Sequence, residues 1–166
     1  ETINAVFQMN EFLWELKDHI VGLNAGRWDY LFSYQKVYRN TKKVILPDRS
    51  KVNMFIPFMS NYNKLLVDTC HKRGAFGMGG MSAQVIAKSN PKEINEKALA
   101  GVKKDKEREL NQGNDGAWVA HPSLVEPVIN IFEKNFKGPN QLNKFNNEKI
   151  NRRDVLDEPK VENAIT

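Results

Sequence analysis

The apolar positions of this chain fall into short runs separated by glycines, prolines and polar stretches, and the runs alternate between two spacings. Thr2 to Met9 is short and apolar and reads as the tail of a strand or the loop after one. Asn10 is a candidate N-cap, and Leu13, Leu16 and Ile20 then recur at helical spacing until Gly22 and Gly26 break the pattern. Trp28 to Tyr34 is dense in aromatics and predicts a buried strand. Lys36 to Lys51 is polar and basic and predicts a loop. Pro57 suits the first turn of a helix whose face carries Phe58, Tyr62, Leu65, Leu66 and Thr69, with Lys72 and Arg73 in its last turn and Gly74 as a left-handed cap. Ala75 to Met81 predicts a glycine-rich strand, and Asn90-Pro91 opens a helix with Ile94, Ala98 and Val102 facing inward and Gly113 at its end. Ala117 to Ala120 predicts a fourth strand. Ser123 and Glu126 match a capping box for a last helix with Val125, Val128, Ile129, Phe132 and Phe136, stopped by Gly138-Pro139. Gln141 to Thr166 is mostly polar without a clear period and reads as a loop or linker.

Strands alternating with helices argue for a parallel α/β architecture, either a β/α barrel or an open doubly wound sheet. No GxGxxG or GxxxxGK[ST] run follows any strand, which disfavours an open nucleotide-binding sheet. In a barrel the chemistry sits at the C-terminal ends of the strands. Four such ends are predicted: Glu1, the stretch around Asp29, Gly79-Gly80-Met81, and Ala120-His121-Pro122.

Composition changes this picture little. The 166 residues suffice for one domain with a core, and no apolar run approaches the roughly 20 residues that span a bilayer. The single cysteine, Cys70, forbids an internal disulfide and suits a reducing compartment. The net charge of +5 suits an anionic substrate or a phosphate-bearing cofactor. A nucleic-acid partner is disfavoured, because the cations are mixed with acids and lack interleaved aromatics. Lys103 to Glu109 reads as a solvated helix face with opposite charges at helical spacing. The chain begins with Glu1 rather than Met, which suggests an internal piece of a longer protein.

Two carboxylates stand out as candidates for chemistry. Asp29 follows two glycines among aromatic residues, and a carboxylate there needs a partner, either a metal ion or Arg27. Glu1 precedes an apolar segment 28 residues earlier, about one barrel repeat away, although a glutamate at a chain start is often merely solvated. Two hard carboxylates at neighbouring strand ends suit Mg²⁺. His19, His71 and His121 are too scattered for a zinc site. His19 and His71 sit near helix ends in structural roles, His121 is the one expected to line a site, and Cys70 reads as a buried small residue.

Lys17 to Phe32, with its Gly26-Arg27-Trp28-Asp29-Tyr30 centre, resembles the signature of malate synthases of the shorter, A-type class. Leu65 to Gly74, Gly77 to Gln84, and Asp105 to Glu109 with Asp115 to Pro122 resemble further blocks of that family in the same order. The resemblance implies a (β/α)₈ TIM barrel. Residues 1–138 would form the second part of it, about four βα units, and 139–166 would lead toward a C-terminal helical domain. It implies Mg²⁺-dependent condensation of acetyl-CoA with glyoxylate to malate and CoA, in the cytoplasm or, in a eukaryote, the peroxisome or glyoxysome. It places the metal on Glu1 and Asp29, glyoxylate beside Glu1, Gly26, Trp28 and Asp29, and acetyl-CoA near Trp118, His121 and Pro122. The family's catalytic base, an Asp, and its catalytic Arg would both lie outside these residues, so a segment of this extent is expected to be inactive alone, and the two sheet edges and apolar face that a half-barrel exposes would make it poorly soluble or prone to associate. Ile3-Asn4 stands where the family often has Leu-Pro. The alternatives are another Mg²⁺-dependent enzyme making or breaking carbon–carbon bonds of 2-oxo acids or CoA esters on a related barrel, and a non-enzymatic basic binding module.

Overall fold

The computed structural model describes residues 1–41, 46–87 and 89–157. Part of the predicted basic loop (42–45) and the end of the polar tail (158–166) lie outside the described residues. Three parallel strands form one sheet in the order β1 (Gly22–Asn24), β2 (Phe76–Ser82), β3 (Gly116–Val119). Around it run α1 (Met9–Glu15), α2 (Arg27–Tyr38), α3 (Pro57–Lys72), α4 (Lys92–Gln112), α5 (Val125–Asn135) and the short α6 (Arg152–Leu156). Gly22 pairs with Phe76 and Asn24 with Met78, and Met78 pairs with Gly116, so all three C-terminal strand ends share one edge of the sheet. The β2–β3 register shifts between Met78 and Met81, a bulge that Gly79 and Gly80 occupy.

The glycine stops form as expected. Gly74 and Gly113 have φ of +69° and +96°, and the N–H of Ala75 and of Asn114 reaches back to Cys70 and Glu109 to close the ends of α3 and α4. The first third of the chain differs from expectation. The segment around Thr2 to Met9 is a 3₁₀ turn at Ala5–Phe7 leading into α1, which Gln8 rather than Asn10 caps. The first strand is Gly22–Asn24, three residues inside the run that the glycines mark as broken. Trp28 to Tyr34, expected as a strand, is helical. The physical reason is tertiary packing: Tyr30 and Tyr34, four residues apart, share one face, where Tyr30 stacks on Tyr62 at 4.1 Å and Tyr34 meets Phe58 edge-on at 5.3 Å. The expected capping box at Ser123 and Glu126 is also absent. The chain enters α5 through a 3₁₀ turn at Pro122–Leu124, and the Ser123 N–H donates to Nδ1 of His121.

The main core joins α1, α2, α3 and β1, and a smaller one lies between α4 and α5 around Val102, Leu124, Val128 and Phe132. Of the expected inward face of α4, Val102 is buried while Ile94 is exposed. The polar run after Gly138 lies across the helices: Asn146 bonds Asp68, Val155 is fully buried, and the Tyr30 hydroxyl donates to the Val155 carbonyl.

One buried ion pair beneath this strap should make stability depend on pH. Nδ1 of His71 faces the Lys144 carbonyl at 2.7 Å and Nε2 faces Asp115 Oδ2 at 2.9 Å. Both partners accept, so only the imidazolium satisfies both ring nitrogens. Burial opposes that charge, but the Asp115 hydrogen bond and charge, the Lys144 carbonyl and the Asp68 charge outweigh it, and the His71 pKa rises above 6.5. A raised folded-state pKa stabilises fully below pH 6.5, and the benefit is lost as pH climbs through the folded value. The difference in urea midpoint between wild type and Asp115→Asn should therefore shrink from about pH 5.5 to about pH 8.5. A constant difference over that range would refute it.

Candidate functional site

The two carboxylates singled out in the sequence come together. Gly26 caps α2 with extended backbone (φ −71°, ψ 106°), which places Asp29 in the first turn. Asp29 is thus not set in a buried strand. It stands at an exposed helix N-terminus, where the macrodipole favours a carboxylate. Glu1 reaches the same place because the residues after it are anchored to α2: Ile3 is buried and its N–H donates to Ser33 Oγ at 3.0 Å.

The Glu1 carboxyl lies flat against Gly26 and in hydrogen-bonding contact with Asp29. A Cβ at position 26 would fall 2.3 Å from that carboxyl, so only glycine leaves it room. Desolvation first, and then the hydrogen bond and charge of Asp29, push the Glu1 pKa up to about 6. Beneath the pair, the buried hydroxyl of Tyr62 ionises above the usual phenol range, chiefly through burial and then through the Glu1 charge.

Arg27 does not neutralise Asp29. Its Nη2 donates to the Arg49 carbonyl at 3.0 Å, and the guanidinium lies over the Trp28 ring, 4.5 Å from the centroid, with Arg49 also over that ring at 5.0 Å. None of the ion pairs among the described residues includes Glu1 or Asp29. The pair can share a proton, as a hydrogen bond between two carboxyls requires, or hold a bound cation. No group of three or more His, Cys, Asp or Glu side chains among the described residues could hold a metal. The two carboxylates of Glu1 and Asp29 by themselves are a donor set that Mg²⁺ can use, since it commonly takes one or two protein carboxylates and completes its shell with water and substrate oxygens. The α2 ladder starts with the Tyr30 N–H on the Gly26 carbonyl (3.2 Å), so the N–H groups of Arg27, Trp28 and Asp29 lie outside it, beside the carboxylates.

The other expected site residues share the sheet edge. Trp118 is 58% exposed on β3, and His121 and Pro122 follow it, His121 with Nδ1 turned to the Ser123 hydroxyl at 2.8 Å. His19 is exposed and His71 is held in the structural pair described above. Cys70 is fully buried and burial pushes its thiol up to about 12, which leaves it inert.

The run Lys103 to Glu109 departs from expectation. Lys103 and Glu107 do form a solvated pair at 3.8 Å, but Lys106, Arg108 and Glu109 are buried against the end of β2. The alternating charges disguise this inner face, and the signal that could have found it is Gly79-Gly80, whose bare backbone leaves room for polar side chains.

A family model described as "Malate synthase, TIM barrel domain" matches residues 1–158. This chain belongs to the malate synthase family. A glyoxysomal malate synthase of Candida tropicalis is 54% identical over 142 residues, covering 86% of this chain and 26% of that protein. The glyoxysomal malate synthase of Cucumis sativus is 47% identical over 164 residues (96% and 29%), and a malate synthase of Myxococcus xanthus is 46% identical over 160 (96% and 29%). The chain spans about a quarter of the length of these malate synthases. The three parallel strands and their helices are accordingly part of an α/β barrel.

Proposed function

We propose that this chain contributes the metal- and glyoxylate-binding part of a malate synthase, which joins acetyl-CoA, glyoxylate and water to give malate and CoA. The observation that carries the reading is the meeting of the Glu1 and Asp29 carboxyls over Gly26 at the N-terminus of α2. The two side chains would hold Mg²⁺, which would supply Lewis acidity toward the aldehyde carbonyl of glyoxylate.

The remaining roles belong to the chain itself. The N–H groups of Trp28 and Asp29 and the positive end of α2 receive the anionic end of glyoxylate, whose reacting carbon they orient. Parallel strands put Trp118, His121 and Pro122 on the same edge of the sheet, and we assign acetyl-CoA to that end. Proton removal from the acetyl methyl and the catalytic arginine are assigned to parts of the polypeptide other than residues 1–166, with 139–166 leading toward the domain that supplies the base. Mg²⁺ is the cofactor in this reading. The compartment is the cytoplasm, or the glyoxysome in a eukaryote. Among the described residues no helix is long and apolar enough to cross a membrane.

The test is release of CoA from acetyl-CoA by the full-length polypeptide carrying this segment, with glyoxylate, pyruvate or oxaloacetate as acceptor. Mg²⁺-dependent turnover confined to glyoxylate is the expected result. Preference for another 2-oxo acid, or turnover unaffected by a chelator, would overturn the reading. Residues 1–166 alone should release no CoA.

A further inference from the structure

We propose that Lys106 is a positioning residue for the two-carboxylate site, acting through the Gly79-Gly80 strand end; the inference rests on the functional reading above. Lys106 is fully buried and Glu109 is 1% exposed. The Lys106 ammonium donates to the Gly80 carbonyl at 2.7 Å and to Glu109 Oε2 at 2.9 Å, and lies 3.5 Å from Asp105 Oδ2. Arg108 closes the group, bonding Asp105 at 3.0 Å, Glu109 at 3.3 Å and the Gln112 amide oxygen at 2.7 Å. Two acids and two bases balance in formal charge, while burial pushes the Glu109 pKa up to about 7.

The cluster grips one short piece of backbone. The Glu109 carboxylate fills the place of a side chain at Gly79, where a Cβ would lie 2.1 Å from its Oε2. The Gly79 carbonyl accepts from the Asn24 amide at 2.9 Å, and the Ala25 N–H donates to the Met78 carbonyl at 2.9 Å. Gly80 in turn abuts the Ala25 carbonyl, 2.9 Å from where its Cβ would stand. Ala25 leads directly to Gly26, against which Glu1 lies. The contacts therefore run from α4 through the β2 bulge and the end of β1 to the cap of α2. A bulge leaves ladder groups unpaired, and here Lys106 takes up the free Gly80 carbonyl.

Stability alone does not account for such a cluster. Well-packed apolar residues of similar volume often replace a buried ion pair at no cost or with a gain. A hydrogen-bonding group, unlike an apolar one, holds a strand-end carbonyl at a set depth, and groups bonded directly to metal ligands contribute about 10–100-fold in metal affinity or activity, an upper bound for a hold passed on through backbone.

The experiment uses the full-length protein. Lys106→Met alone leaves the buried Glu109 with only the longer Arg108 contact and is expected to lower Tm. Pairing it with Glu109→Gln removes both charges, leaves Asp105 and Arg108 balanced, and is expected to restore Tm while the Gly80 carbonyl stays unheld. In that double variant, titration calorimetry with Mg²⁺ alone should show affinity weaker than wild type by several-fold, up to about 10-fold. KM for glyoxylate should rise and KM for acetyl-CoA should not. Restored Tm with wild-type Mg²⁺ affinity would overturn the proposal. If the double variant does not fold, Asn24→Ala interrupts the same path with the cluster intact, and unchanged Mg²⁺ affinity there would equally overturn it. Wild-type protein that binds no Mg²⁺ or does not turn over glyoxylate would count against the functional reading, whereas the ratio of variant to wild type judges Lys106.

Discussion

Asp29→Asn in the full-length protein should lower kcat/KM for malate formation by about 10³-fold, because a metal-centred charge stabilisation worth several kcal/mol depends on that carboxylate. The substitution keeps the shape of the side chain. Asp29 is exposed in the first turn of α2, so what remains is the loss of a negative charge at a helix N-terminus, about 0.3–1 kcal/mol. Activity and stability should therefore part company: a near-complete loss of turnover with Tm almost unmoved. Steady-state kinetics over a range of Mg²⁺ concentrations, alongside a thermal melt, checks both. Activity within tenfold of wild type at saturating Mg²⁺ would remove Asp29 from the site.

The second large effect is expected from one methyl group. Gly26→Ala would put a Cβ 2.3 Å from the Glu1 carboxyl. The backbone at Gly26 is extended and open to any residue, so folding should cost only about 0.5–1 kcal/mol, the difference between Gly and Ala at an N-cap. The atoms it strikes are the far end of an exposed side chain, which can swing aside, and in doing so Glu1 leaves Asp29. Mg²⁺ affinity should fall at least about tenfold while the melt stays close to wild type. Gly26→Ala with unaltered Mg²⁺ affinity would show that the Glu1 carboxyl does not need this seat.

The sequence was most legible where side chains and local backbone agree. Pro57 at the start of α3 and the left-handed Gly74 and Gly113 mark their elements because each acts through its own φ angle. The apolar stripe of α3 works similarly, since Phe58, Tyr62 and Leu66 point to the core by helical geometry alone. The candidate carboxylates were legible for a different reason: Glu1 and Asp29 lie in a chain resembling a known family, and the structure brings the two carboxyls into contact. What was not legible depended on distant partners. Residues 28–34 have the composition of a strand, but Tyr30 and Tyr34 find Tyr62 and Phe58 only if they are helical. The strand at Gly22–Asn24 is too short to carry a period.

By itself, then, the sequence determined the alternation of helices and strands from Pro57 onward, the turns at its glycines and the pair of acids worth watching, because these follow from backbone sterics, hydrophobic spacing and family likeness. Tertiary structure alone decided that Asp29 stands in the first turn of a helix instead of lining a strand, that Glu1 lies in the space left by Gly26, and that Lys106 and Glu109 point inward from a helix whose charges suggest solvent. Each of those outcomes is set by atoms from far along the chain competing for one small volume, and no local pattern records which of them will occupy it.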